Sequence, residues 1–196
     1  MGRVRWLPVV ALLGALSMAL PARADSNTLT FKDPSGDWAV AAQDIVQVTL
    51  RSVSDRSGHW LDAHISLAAP VGPAYTTYVV TFQIGPTCYA LATSTVNGAP
   101  VQQSAGGASI SPASLASATC TNAGPMTGAP ATSVAHGSTV EIRAPYALGL
   151  RRGLRATGVT VAVGTQPVQV RVGIGSTTPA VSTGDFATTN AVFALR

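Results

Sequence analysis

From Asn27 onward, apolar and polar residues alternate with a period of two, the pattern of strands that bury one face. Residues 28–31 predict a short first strand, ended by the turn chemistry of Asp33-Pro34-Ser35-Gly36. Across residues 44–52, Val46, Val48 and Leu50 alternate with Gln47, Thr49 and Arg51. Residues 60–67 repeat the pattern, with Leu61, Ala63, Ile65 and Leu67 on one face. The two segments predict a hairpin whose loop, residues 54–58, is somewhat longer than the tightest type. Residues 75–84 turn Tyr78, Val80, Phe82 and Ile84 inward, and Gly85-Pro86 leads into a partner strand at residues 88–93. Asn97-Gly98 marks another tight turn.

The next stretch, residues 94–137, is rich in Ala, Ser and Gly, and predicts a loose loop with one short strand near Cys120. Order returns at residues 139–143, where Val140 and Ile142 alternate with polar neighbours. Residues 145–155 predict a short helical turn or a crossing loop. Val159, Val161 and Val163 form one strand, and Val168, Val170, Val172 and Ile174 the next, joined by residues 164–167. Residues 190–195 form a terminal strand. About nine or ten strands with regular turns and no sustained helical period predict an all-β protein, an antiparallel β-sandwich of the jelly-roll or immunoglobulin-like kind, in one domain.

The alternation begins only after a different kind of segment. Residues 1–24 read as a signal peptide: Arg3 and Arg5 give a positive start, residues 6–20 a short apolar run, and Ala22-Arg23-Ala24 a small-x-small cleavage site. The apolar run is too short for a membrane span. The expected protein is therefore secreted, or periplasmic in a Gram-negative source, with a single domain at residues 25–196.

Removing that segment changes the charge. The full chain has 12 Lys and Arg against 8 Asp and Glu; Arg3, Arg5 and Arg23 leave with the signal, so nine bases face eight acids and the net charge is +1. The basic residues closest to a cluster, Arg151-Arg152 with Arg155, read as a solvated loop, so no nucleic-acid partner is expected. An oxidising compartment also gives Cys88 and Cys120 a meaning: an even pair is most simply a disulfide, the other readings being free or catalytic thiols. Closing that loop stabilises by roughly 3–4 kcal/mol in the chain-entropy model.

Chemistry concentrates in two places. Asp33, Ser35 and Asp37 occupy alternate positions, and Asp44 falls eleven residues after Asp33, the oxygen-ligand rhythm of a calcium loop. Trp38 stands where such a loop has glycine, and no helix is predicted on either side, so a calcium-bearing turn between strands fits better than an EF-hand. The plainer alternative is an Asx-type turn, its carboxylates accepting backbone N–H groups. The second constellation is Trp60, Asp62 and His64, placed by alternation opposite Leu61, Ala63 and Ile65 and beside outward Gln47, Thr49 and Arg51. An aromatic with polar neighbours on a sheet face is a sugar- or partner-binding surface; alternatively the 94–137 loop covers Trp60 and makes it core. Glu141 and outward Arg143 read as a surface charge pair.

No catalytic residue is assigned. His59 and His64 fall on opposite faces of one strand and lack zinc-ligand spacing, and no Gly-x-Ser-x-Gly elbow is present.

The opening strand, the Asp-Pro-x-Gly-Asp turn, Asp44-Ile45 and the hairpin resemble family-9-type carbohydrate-binding modules and the wider DOMON-like group of β-sandwiches. Thr139-Val140-Glu141-Ile142-Arg143-Ala144-Pro145 followed by Leu148-Gly149 is also similar to a strand and turn of those modules. The resemblance implies that the acidic turn meets the end of the chain, where a further Asp helps to close a structural calcium site. The matching positions are Asp33, Asp37, Asp44 and Asp185. It further implies a non-catalytic binding module for a polysaccharide or cell-surface component; a small interaction domain with a protein partner is the alternative.

Overall fold

The computed structural model describes residues 27–101, 103–105, 108–110, 113–119, 127–165 and 184–196 of the chain. The expected signal peptide, Cys120 and the strand at Val168 to Ile174 lie outside the described residues.

Among the described residues, fifteen strands run in chain order: β1 (Thr28–Lys32), β2 (Ile45–Asp55), β3 (Gly58–Leu67), β4 (Thr76–Ile84), β5 (Thr87–Val96), β6 (Ala99–Pro100), β7 (Gln103–Ala105), β8 (Ala108–Ile110), β9 (Ala113–Thr119), β10 (Thr127–Pro130), β11 (Thr132–His136), β12 (Thr139–Pro145), β13 (Arg155–Gly164), β14 (Gly184–Thr189) and β15 (Phe193–Ala194). All but β7 and β8 build two antiparallel sheets packed face to face, a β-sandwich. One sheet has the order β1-β2-β3-β12-β11. The other runs β10-β9-β5-β4-β13-β14, with β15 on β13 and β6 on β5, while β7 and β8 pair only with each other.

Alternation decides which side chains meet between the sheets. Val48, Leu50, Leu61, Ala63, Ile65, Val140 and Ile142 face inward from the first sheet. Tyr78, Val80, Phe82, Leu91, Leu115, Val161 and Val163 meet them from the second, in one continuous core. Phe82 and Tyr89 stack there with ring centroids 5.3 Å apart. Val79, Ala90, Ala92 and Ala162 form a smaller buried cluster, at positions that alternate with the core residues of β4, β5 and β13.

The structure departs from the sequence reading at the β2–β3 turn and in the 94–137 stretch. The hairpin between β2 and β3 is of the tightest kind: Asp55 pairs with Gly58, leaving only Arg56 and Ser57 in the turn. Asp55 closes it by accepting the Ser57 N–H at 2.8 Å, so a side chain stabilises a turn that the sequence reading made longer. The described residues of the 94–137 stretch are largely strand instead of loose loop, and supply β6 to β11. Within it, β9 pairs with β5 over seven residue pairs and buries Ala113 and Leu115 almost completely. Its small side chains weaken the sequence signal, but alternation persists, and a neighbouring strand is enough to order it. Of the two alternatives for residues 145–155, the loop is the one seen: residues 146–154 contain no helix, and Leu150 N–H bonds to Ala147 C=O in a turn with left-handed Leu148 and Gly149. The Asn97-Gly98 expectation holds: both residues have positive φ, 51° and 73°, and join Val96 to Ala99.

Candidate functional site

The loop between β1 and β2 carries the acidic turn. Gly36 adopts a φ of 88°, a left-handed conformation that costs glycine little, and its N–H points to Asp44 Oδ2 at 2.7 Å. Asp44 is 2% exposed, and its other oxygen accepts no hydrogen bond among the described residues. Trp38 folds back so that its indole N–H donates to buried Gln43 Oε1 at 3.4 Å.

Asp185 arrives from the far end of the chain on β14, opposite Val163 of β13. Its Oδ2 accepts the Ile45 N–H at 2.5 Å and its Oδ1 the Phe186 N–H at 2.8 Å. One oxygen each of Asp33, Asp37 and Asp185 lie within 4.8 Å of one another. Asp44 adjoins this trio, with one carboxylate oxygen committed to the turn.

The electrostatic cost of this arrangement is visible. Burial, then the charges of Asp185, Asp37 and Asp44, push Asp33 up from 3.8 to about 6. Burial likewise raises Asp185, against the two backbone N–H groups that favour its charged form. Asp33 Oδ2 is buried and accepts no hydrogen bond among the described residues. Carboxylates with unfilled acceptor positions suit a hard cation. Oxygens on opposite sides of a calcium ion stand about 4.6–5.2 Å apart, a span that the 4.8 Å envelope accommodates.

Trp60, Asp62 and His64 share the outer face of the first sheet, so Trp60 is not core under the 94–137 segment. Registers place Arg51, Asp62, Arg143 and Thr132 in one row across β2, β3, β12 and β11; Thr49, His64, Glu141 and Val134 form the next. The Arg143 guanidinium lies over the Trp60 ring, 4.6 Å from its centroid, and donates to Asp55 Oδ2 at 2.6 Å. Trp60 Nε1 donates to Asp55 Oδ1 at 3.1 Å. Hydrogen bonds from the Ser57 side chain and backbone, with smaller help from Trp60 and Arg143, hold Asp55 well below the usual carboxylate range.

The expected Glu141–Arg143 pair is thus replaced. Arg143 reaches Asp55 and, more loosely, Asp62 at 3.5 Å, while Glu141 approaches His64 at 3.8 Å. Neighbours on one strand two residues apart are farther from each other than from residues directly across the ladder. Asp55 went unnoticed in the sequence because it reads as a turn residue; its proximity to Trp60, five positions on, was the available signal. Cys88 sits on β5 opposite Ala118, two residues before Cys120, and no cysteine among the described residues is a free thiol.

These features define an all-β sandwich with a carboxylate cluster joining its two ends and a charged, aromatic outer face. No family model, curated protein or solved structure matches the chain. No helix among the described residues is long and apolar enough to cross a membrane.

Proposed function

We propose that the chain is an exported, non-catalytic binding module whose sandwich is closed by a structural calcium ion at Asp33, Asp37 and Asp185, backed by Asp44. The reading is carried by one observation: Asp185, 140 residues beyond Ile45, joins the acidic turn with its carboxylate bonded to the Ile45 N–H. A cation there offsets the mutual repulsion that raises Asp33 and ties the two sheets at one end. The layout resembling family-9-type carbohydrate-binding modules supports the same assignment. A Cys88–Cys120 disulfide adds a second tie, supported by the position of Cys88 beside the end of β9. Its loss under dithiothreitol lowers the unfolding midpoint.

The ligand surface is the outer face around Trp60, Asp62 and His64, and the ligand a polysaccharide or other cell-surface component. A second reading, a protein partner, is favoured by Arg143. Its guanidinium occupies one face of the Trp60 ring, where a sugar would stack, and Val134 nearby is 59% exposed.

Thermal unfolding with calcium and with excess chelator tests the metal. A higher midpoint with calcium, absent in Asp33→Ala and Asp37→Ala, is expected; an identical midpoint in both conditions removes the calcium site. Glycan-array binding lost in Trp60→Ala supports the polysaccharide reading. A defined protein partner lost in Trp60→Ala and Arg143→Ala, with no glycan signal, supports the second.

A further inference from the structure

We propose that Asp62, His64 and Glu141 form a separate site for a borderline-soft divalent ion, zinc, on the outer face of the first sheet. The three side chains share a face because Asp62 and His64 are two apart on β3 and Glu141 stands directly across from His64 on β12. One ligand atom from each lies within 4.8 Å of the others, and His64 Nδ1 is 3.8 Å from Glu141 Oε2. Ligand atoms around tetrahedral zinc are about 3.4 Å apart, so the set needs to contract by roughly an ångström. Rotation of the long, half-buried Glu141 side chain supplies that.

The geometry has an independent companion. The Asp62 side chain is only 8% exposed, and its Oδ1 accepts no hydrogen bond among the described residues; it has only the looser ion pair with Arg143 Nε at 3.5 Å. Buried polar atoms in native proteins are nearly always satisfied, and exceptions point to an ion or water. Arg143 is the competing cation, but its guanidinium is bonded to Asp55 at 2.6 Å and laid over Trp60, leaving a 3.5 Å approach to Asp62. Arg143 is thus shared between Asp55, which it bonds, and Asp62, which it only approaches, and Asp62 and Glu141 stand as two carboxylates beside one imidazole. That mixed donor set suits zinc and its first-row neighbours better than calcium, which takes oxygen alone. The proposal uses no residue of the acidic turn and does not rest on the calcium reading.

Calorimetric titration of the calcium-saturated protein with zinc tests it. One equivalent is expected to bind. The affinity should fall in His64→Ala and Glu141→Gln by at least the roughly 10- to 100-fold typical of losing even an outer-shell partner. Asp37→Ala should leave it unchanged. In a Trp38→Phe background, copper or cobalt should quench Trp60, and His64→Ala should abolish the quenching. Both variants alter half-buried positions on a sheet surface, and their unfolding midpoints report whether the fold persists. Absence of zinc binding, or binding indifferent to both His64→Ala and Glu141→Gln, overturns the proposal; loss confined to Asp37→Ala places the zinc in the acidic turn and overturns it equally.

Discussion

Asp33 carries the clearest residue-scale consequence. Its folded pKa of about 6 exceeds the ordinary aspartate value of 3.8, so the metal-free folded state holds the extra proton. That contribution is fully present below the unfolded value and is lost as pH rises towards 6. Metal-free protein should therefore lose stability from this site between pH 4 and 6, and calcium's increment should grow over the same window as protons leave. Asp33→Asn removes the repulsion. It should raise the metal-free stability by about 1 kcal/mol after solvent screening, and abolish the calcium increment. Chelator and calcium melts across the pH range check both. Arg143 offers a second test: Arg143→Ala uncovers Trp60 and should make it more accessible to acrylamide.

At the scale of elements, β9 is the instructive strand. Its sequence, Ala113-Ser114-Leu115-Ala116-Ser117-Ala118-Thr119, has Thr119 alone of the β-branched and aromatic residues that announce a strand. Nevertheless Leu115 is fully buried in the core opposite Leu91, which makes it a sharp probe. Leu115→Ala should destabilise by about 2–5 kcal/mol in urea unfolding, the range for emptying a core leucine site. A loop residue would change stability by far less. β12 acts differently: by choosing β3 as its neighbour it brings Glu141 to His64 and Arg143 to Asp62 and Trp60. Period-two alternation had placed these residues outward, but face alone does not select a neighbour.

For the whole molecule, the acidic cluster is a clasp between the sheets. β1 and β2 belong to one sheet and β14 to the other, and Asp185 bonds across to Ile45. Removing calcium should loosen this end first. Hydrogen exchange of the β14 amides and of Ile45 should speed up in chelator, while amides of β4 and β5 at the centre of the second sheet stay protected. Asp185→Ala should reproduce that pattern with calcium present. On the proposed calcium reading, a calcium concentration about a hundredfold above Kd should stabilise the fold by about 2.7 kcal/mol.

What the sequence by itself determined is local. Alternation is an intrinsic property of each strand, so it assigned Leu61, Ala63 and Ile65 inward and Trp60, Asp62 and His64 outward without knowledge of any neighbour. The Asn97-Gly98 turn followed from left-handed conformations that those two residues tolerate. The resemblance drawn from the acidic turn brought Asp185 to it, and the same convergence stands in the fold. Only the tertiary structure decided that β9 is a strand, that Glu141 faces His64 instead of Arg143, and that Asp55 holds both Trp60 and Arg143. Each of these depends on pairing between segments distant in sequence, and such pairing is selected by the combined burial of two sheets rather than by any one stretch of the chain.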